Sequence, residues 1–253
     1  MKRTLAIMLL CLATFSATAG ESGERERNFV RGLELFDKAK SPDDYRAAAA
    51  LFESLLDANY VNGAVLYNIG NSYMRAGDYG KAILAYRKAK PFRPRDPYLD
   101  ANLRQALMVA PGRLPPPATP WWRHVFFWTD SVSYPEKVFG TVAGFVFGAL
   151  IAAAALLLRK KKLYLVSGVF VSLAGVLAID AAVSHSDVRN SRLAVVTRET
   201  IARKGIGAQY EPAFDQPLKD GAEFTVIDRN GEWIFGHFEG IGDGWLRRDA
   251  VAE

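Results

Sequence analysis

Cysteine is almost absent from this chain of 253 residues. The one cysteine, Cys11, lies within an apolar run, Leu5–Phe15, which follows two basic residues and precedes Ala17-Thr18-Ala19. A basic start, an apolar run and an A-x-A sequence are typical of a secretory signal peptide, so we expect residues 1–19 to be removed. The mature chain then has no thiol, which excludes disulfides, thiolate metal ligands and a cysteine nucleophile.

Histidine is also scarce. His124, His185 and His237 lie in three different segments, so no pair has the spacing of metal ligands. None of them accompanies a serine nucleophile motif. The glycine-rich stretches at 205–207 and 240–244 do not open a helix after a strand, which argues against a phosphate-binding loop. The sequence therefore offers no catalytic residue, metal site or cofactor site, and we expect a protein that is not an enzyme.

Charge is missing from residues 138–158, and residues 163–183 carry only Asp180. As a helix, each stretch of 21 residues is about 31 Å long, enough to cross a hydrocarbon core of about 30 Å. We predict a two-helix transmembrane hairpin over residues 135–183, which excludes a wholly soluble enzyme. The favoured interpretation of Asp180 is a carboxylate that reaches the outer interface, and the alternative is a contact with a partner's membrane helix or an ion path.

Small residues and flanking charges predict how the hairpin packs and which way it faces. Gly140, Gly144 and Gly148 repeat every four residues and form a groove for a second helix, within the hairpin or on another membrane protein. The four adjacent bases Arg159–Lys162 are typical of a cytoplasmic loop. Together with the signal peptide they predict a bacterial inner (cytoplasmic) membrane protein whose folded parts both lie on the periplasmic side. The net charge of +5 comes mainly from the leader and this region, so it does not indicate nucleic acid binding.

A repeat of 34 residues precedes the hairpin. The shift pairs Asp44 with Asp78, Tyr45 with Tyr79, Ala48 with Ala82 and Phe52 with Tyr86. In the better copy, residues 63–96, the apolar and small residues at helical spacing, with the closing proline, are Leu66, Ile69, Gly70, Tyr73, Ala82, Tyr86, Ala89 and Pro94. These residues resemble the tetratricopeptide (TPR) repeat, a protein-protein interaction module. In the weaker copy, residues 29–62, Phe36 stands at the position of Gly70.

The TPR resemblance implies a fold and a binding surface. We expect α-helical repeats with a capping helix over residues 20–110, and a concave groove lined by Tyr67, Asn71, Met74 and Arg75. There Asn71 would hold an extended peptide backbone and Arg75 would meet a carboxylate. Six bases between Lys81 and Arg95 are interpreted as a solvated face, or alternatively as a surface for an acidic partner or lipid headgroups.

The remaining segments are a linker and a small β domain. Residues 111–134 contain a proline-rich stretch and then the aromatic segment 121–128, which is typical of a membrane interface. Residues 184–253 predict a small all-β domain with a hairpin at Asn230-Gly231. Their motif order resembles bacterial SH3 (SH3b) domains, which implies an SH3-like barrel with Trp233 and Trp245 as core aromatics.

The order of these parts is more specific than any one of them. A signal peptide, TPR pair, two-span hairpin and SH3b-like domain resemble the BatE-type TPR proteins of Bat aerotolerance operons. The resemblance implies a non-catalytic scaffold subunit of an envelope complex with membrane-anchored von Willebrand A domain proteins and a MoxR-type ATPase. An alternative is an envelope sensor or anchor whose SH3b-like domain binds cell-wall peptide, possibly peptidoglycan.

Overall fold

The computed structural model describes residues 23–57, 60–115, 127–189 and 192–253. The predicted signal peptide, and most of the predicted aromatic segment with His124, lie outside the described residues. Seven α-helices are described: α1 (23–38), α2 (Pro42–Glu53), α3 (Gly63–Ala76), α4 (Tyr79–Ala89), α5 (Pro97–Val109), α6 (Tyr134–Leu158) and α7 (Lys161–Arg189). Five β-strands follow: β1 (Leu193–Val196), β2 (Glu223–Asn230), β3 (Trp233–Phe238), β4 (Gly242–Arg247) and β5 (Val251–Ala252).

Local signals set the boundaries of the repeat helices. Ser41 caps α2 through a capping box with Asp44, and the Asn62 side chain accepts from the first backbone amides of α3. Gly77 ends α3 with a φ of 81°, the left-handed conformation that glycine adopts without strain. The helices pair in order, α2 on α3, α3 on α4 and α4 on α5, and bury one continuous apolar core.

The first repeat contains the same close helix contact as the second, at a position that the spacing of 34 misses. A Cβ atom at Gly32 would overlap the Phe52 ring, just as one at Gly70 would overlap the Tyr86 ring. Gly32 and Gly70 are 38 residues apart, whereas Phe52 and Tyr86 are 34 apart, so the first repeat has four extra residues between its helices. The prediction that Phe36 replaces the small residue of the first repeat is therefore wrong.

The two apolar helices form a closely packed hairpin. Both are long and apolar enough to span a membrane, at 25 residues for Tyr134–Leu158 and 26 for Lys161–Ser186. In their most apolar stretches only 11% and 17% of the residues are buried, unlike core helices of a soluble domain. Gly140, Gly144 and Gly148 face α7, where they contact side chains of Leu177, Ala174 and Val171 respectively. Arg159 and Lys160 alone make the turn, since α7 begins at Lys161.

Asp180 lies inside the hairpin, so the favoured interpretation of a carboxylate at the outer interface is wrong. Its side chain is 12% exposed and pairs with Lys137 of α6, which is 4% exposed, at 3.1 Å. Because opposite charges at this depth neutralise each other, the pair lowers the cost of placing either charge among apolar side chains.

The C-terminal residues form one curled antiparallel sheet with the strand order β4-β3-β2-β1-β5. The predicted hairpin is present, with Asn230 opposite Trp233 and a two-residue turn of Gly231 and Glu232. Gly231 has a φ of 56°, as the first central residue of a tight hairpin turn requires. The long connection between β1 and β2 folds back over the sheet, where Arg203 and Trp245 exchange two backbone hydrogen bonds of 2.8 Å.

The sheet core differs from the predicted one. Trp233 and Trp245 are only half-buried and lie on the outer face, whereas Phe224, Ile234 and Phe238 fill the core. The inner face is set by Gly236, because a Cβ atom there would overlap the Phe224 ring. The expectation that the two tryptophans form the core is therefore wrong.

Candidate functional site

The sheet domain docks on the repeats and forms a single head with them. Helix α4 packs against β1 and β5. Val195 of β1 is fully buried and belongs to the core of the repeat helices rather than to that of the sheet. Gly221 lies against Ala110 and Ile83 of the repeat domain. We call α1–α5 together with the sheet domain the head.

Asp220 supplies the N-terminal cap of α4. Its carboxylate accepts hydrogen bonds from the backbone N–H of Tyr79 at 3.0 Å and of Gly80 at 2.9 Å. The residue just before α4, Asp78, makes no such bond. Burial raises the pKa of Asp220 above its ordinary value, although the two amide donors act in the opposite direction. A residue of the sheet domain therefore completes a helix of the repeats.

Two further polar contacts join the same surfaces. The Arg87 guanidinium binds both carboxylate oxygens of Glu223, at 2.8 and 3.0 Å. Lys88 Nζ donates to the backbone oxygen of Glu253 at 2.8 Å, and burial lowers the pKa of this lysine. The sequence analysis missed Asp220 and Glu223 because their partners are more than 130 residues away, and no local pattern marks them.

The basic cluster between Lys81 and Arg95 is engaged within the protein. Every one of its six side chains contacts a group of this chain. Arg87 binds Glu223, Lys88 the Glu253 backbone, Lys90 Asp100, Arg93 Asp96, Arg95 Glu136, and Lys81 lies over the Tyr73 ring. These contacts use the charges that an acidic partner or a lipid headgroup would require, so neither reading of this cluster as a free basic surface holds.

The four predicted groove residues divide between structural and exposed positions. Asn102 of α5 donates to the Tyr67 hydroxyl at 3.1 Å and to Asn71 Oδ1 at 2.9 Å. Asn71 Oδ1 also accepts from the Tyr86 hydroxyl at 2.8 Å, and burial raises the pKa of that tyrosine far above its ordinary value. Tyr67 and Asn71 therefore hold the closing helix α5, and the Asn71 side-chain oxygen is occupied by the protein itself.

Met74 and Arg75 complete the predicted groove. Met74 is partly buried and packs against the core of the repeats. Arg75 is exposed at the end of α3, and no carboxylate of the described residues forms an ion pair with it. A guanidinium in this state can form a bidentate pair with a carboxylate of a binding partner.

A cleft of about 430 Å³ opens on the outer face of the sheet. Its lining includes Ile201 and Pro217 from the β1–β2 connection, Trp233 from β3, and the guanidinium-bearing Arg203 and Arg247. Tryptophan offers a flat apolar face, and arginine offers donors for carbonyl or carboxylate oxygens. The cleft can therefore hold an extended chain that carries acceptor groups. The sequence analysis singled out Trp233, but as a core residue.

The histidines do not assemble a reactive centre in the part of the chain that the structure describes. His185 Nδ1 lies 3.1 Å from the Tyr134 hydroxyl, and His237 pairs with Asp243 on the β3–β4 hairpin. Within the described ranges, no group of three or more His, Cys, Asp or Glu residues could hold a metal ion.

Comparison with known proteins identifies the repeats. Residues 33–97, which span α2–α4 and most of α1, match the family described as tetratricopeptide repeat. No curated protein and no solved structure matches the chain. The matched family is a non-catalytic module for protein-protein interaction. This protein therefore contains tetratricopeptide repeats, joined to a curled antiparallel sheet and to two helices that could span a membrane.

Proposed function

We propose that this protein is a non-catalytic scaffold subunit that holds partner proteins at a membrane. The repeats supply the interaction module, and the two apolar helices supply the anchor. Helix α6 begins where the head ends, since Tyr134 N–H donates to the backbone oxygen of Pro91 at 2.9 Å. The binding surfaces of the head then lie at a fixed position beside the anchor.

The partners are proposed from the resemblance to BatE-type proteins. These are membrane-anchored von Willebrand A domain proteins, in an envelope complex that also includes a MoxR-type ATPase. The exposed Arg75 supports a partner that presents a carboxylate at the end of α3.

The contact between the two parts of the head supports the proposed topology. Because the repeats and the sheet domain touch, both must lie on the same side of a membrane, and the chain between them must cross it an even number of times. Two spanning helices satisfy this requirement. The bases at Arg159–Lys162 favour a cytoplasmic turn, which puts the head on the periplasmic side of a bacterial inner membrane.

The observation that carries the proposal is the repeat domain at the end of the hairpin with an unpaired, exposed Arg75. We would place a photocrosslinking amino acid at position 75 in intact cells, with position 50 as the control. Ala50 is exposed on α2. The proposal predicts discrete crosslinks to membrane proteins with von Willebrand A domains from position 75 and few from position 50. A chain that crosslinks equally at both positions, or that migrates alone after mild detergent extraction, would contradict it.

A second candidate function rests on the cleft beside Trp233. The strand order and the long β1–β2 connection support the SH3b assignment, and the cleft supports binding of cell-wall peptide. The test is sedimentation of the detergent-solubilised full chain with purified peptidoglycan. We expect Trp233→Ala to abolish pelleting, whereas Ile227→Ala, at a residue that is 52% exposed and outside the cleft lining, leaves it intact. Failure of the wild-type chain to pellet would remove this candidate.

A further inference from the structure

The first turn of α6 touches three other parts of the molecule. Ser133 caps the helix, and the residues that follow it reach the repeat domain, the chain just before α6, and the far end of α7. We call residues 133–137 the joint. No other turn described here contacts both the head and the second apolar helix.

Tyr134 links the head directly to α7. Its ring packs edge-on against Phe92, with the centroids 5.9 Å apart, while its N–H binds the Pro91 backbone. Its hydroxyl lies 3.1 Å from His185 Nδ1, and the two rings stack at 5.9 Å. A displacement of the turn that contains Phe92 therefore moves a side chain that is also bound to the second helix.

Glu136 adds a charged contact to the head. One of its oxygens pairs with Arg95, and the other accepts from the Ser133 N–H at 2.8 Å and from the Ser133 hydroxyl at 2.9 Å. Because the capping box fixes this carboxylate on the helix, Arg95 is bound to the rigid end of α6 and not to a freely rotating side chain.

Lys137 extends the joint into the hairpin. Its ammonium group donates to the Thr129 backbone oxygen at 2.9 Å, to Asp180 at 3.1 Å and to the Ser184 hydroxyl at 2.8 Å. All three donors of the ammonium are used, at a side chain only 4% exposed. A buried ion pair of this kind is costly to separate, so α6 and α7 move at this level only if the whole cluster rearranges.

We propose that the joint is a conformational coupler between the head and the membrane hairpin. Tyr134, Glu136 and Lys137 lie within one helical turn, so a tilt of the head changes the packing of α6 on α7. By thermodynamic linkage, a partner that shifts the hairpin packing changes the orientation of the head by the same coupling free energy. The glycine contacts further along α6 keep the helices in register and carry the displacement as a rigid body.

The test measures distances in the full chain in lipid nanodiscs. Cys11→Ser removes the one native thiol. One pair of spin labels, introduced with Arg104→Cys and Leu173→Cys, reports the orientation of the head. A second pair, Leu150→Cys and Leu173→Cys, reports the hairpin; Leu150 and Leu173 are each 60% exposed. The perturbing variant is Asp180→Asn, which touches no head residue, and the control is Ser172→Ala, on the exposed side of the same helix.

The coupler predicts that Asp180→Asn broadens the head-to-hairpin distance distribution by about twofold, while Ser172→Ala leaves it unchanged. In the reverse direction, Tyr134→Ala with Arg95→Ala changes the hairpin distribution. Ser184→Ala removes one acceptor of Lys137 without leaving an unpaired charge, and it broadens the head distribution in the same direction if Asp180→Asn does not insert. A head distribution that stays unchanged in both variants, with a loosened hairpin or not, overturns the proposal.

Discussion

The repeat domain meets its two neighbours in the chain in different ways. Against the sheet domain it shares a buried core residue, Val195, a helix cap from Asp220 and a bidentate ion pair at Arg87. Against the hairpin it has one ring contact, one backbone hydrogen bond and the more exposed pair of Arg95 and Glu136. The first contact makes a single folding unit, and the second makes a joint that can move.

Gly80→Ala tests the stronger contact most severely. A Cβ atom at Gly80 would overlap the Val196 backbone oxygen and lie 2.6 Å from the Asp220 carboxylate, so the sheet domain has to shift. We expect a loss of about 3 kcal/mol in the free energy of unfolding of the head, measured by denaturant titration of the detergent-solubilised chain. The control is Gly175→Ala, where nothing lies within 4 Å and the same change costs no stability. Equal effects of the two variants would mean that the sheet domain does not dock on α4.

Arg87→Ala has the next largest effect. It leaves the Glu223 carboxylate, 14% exposed, without its partner, and we expect a cost of about 2 kcal/mol on the same titration. Arg87→Lys keeps the charge but loses the bidentate geometry, so its loss should be intermediate. Lys204→Ala removes an ion pair whose members are 61% and 79% exposed, and it should cost less than about 1 kcal/mol. A loss no greater than that of Lys204→Ala would place Arg87 outside the stabilising contact.

The cap at Asp220 gives the contact a pH dependence. Burial raises the folded-state pKa of Asp220 above 3.8, so the folded chain binds a proton more tightly than the unfolded chain does. This contribution to stability is present at low pH and is lost as the pH rises through the folded pKa. We expect the unfolding free energy of wild type minus that of D220N to fall as the pH rises from about 4. A difference that stays flat or rises over this range would contradict the assignment.

Arg95→Ala has the smallest expected effect on stability. Its ion pair with Glu136 joins side chains that are 64% and 46% exposed, so the head should lose less than about 1 kcal/mol. Thermal unfolding followed by intrinsic fluorescence measures this loss beside that of Arg87→Ala. A loss as large as that of Arg87→Ala would remove the distinction between the two contacts.

The sequence predicts the repeats well because their information is local. Helical spacing of small and apolar residues, the turn at Gly77 and the closing Pro94 all lie within one unit of 34 residues. The first repeat escaped the same reasoning because four extra residues move Gly32 out of the expected register. A fixed period cannot detect a contact that is displaced by one helical turn.

The core of the sheet shows a different limit. In Trp233-Ile234-Phe235-Gly236-His237-Phe238 both alternating faces carry large apolar residues, so period two does not reveal which face is buried. The packing of Phe224 on Gly236 decides it, and that contact joins different strands. The docking surface on α4 could not be predicted for the same reason, since Asp220 and Glu223 gain their roles only through partners far away in the chain.

The cap on α4 has a consequence for how this protein is made. Tyr79 receives its hydrogen bond from a residue 141 positions later, beyond both apolar helices. A ribosome therefore finishes the repeats long before it has synthesised the groups that close them. During that interval nascent α4 presents a bare N-terminus and an uncovered apolar flank, and only the last strands end this vulnerable stage. Translation that stops after the hairpin leaves an incomplete product that chaperones and proteases can distinguish from the finished one.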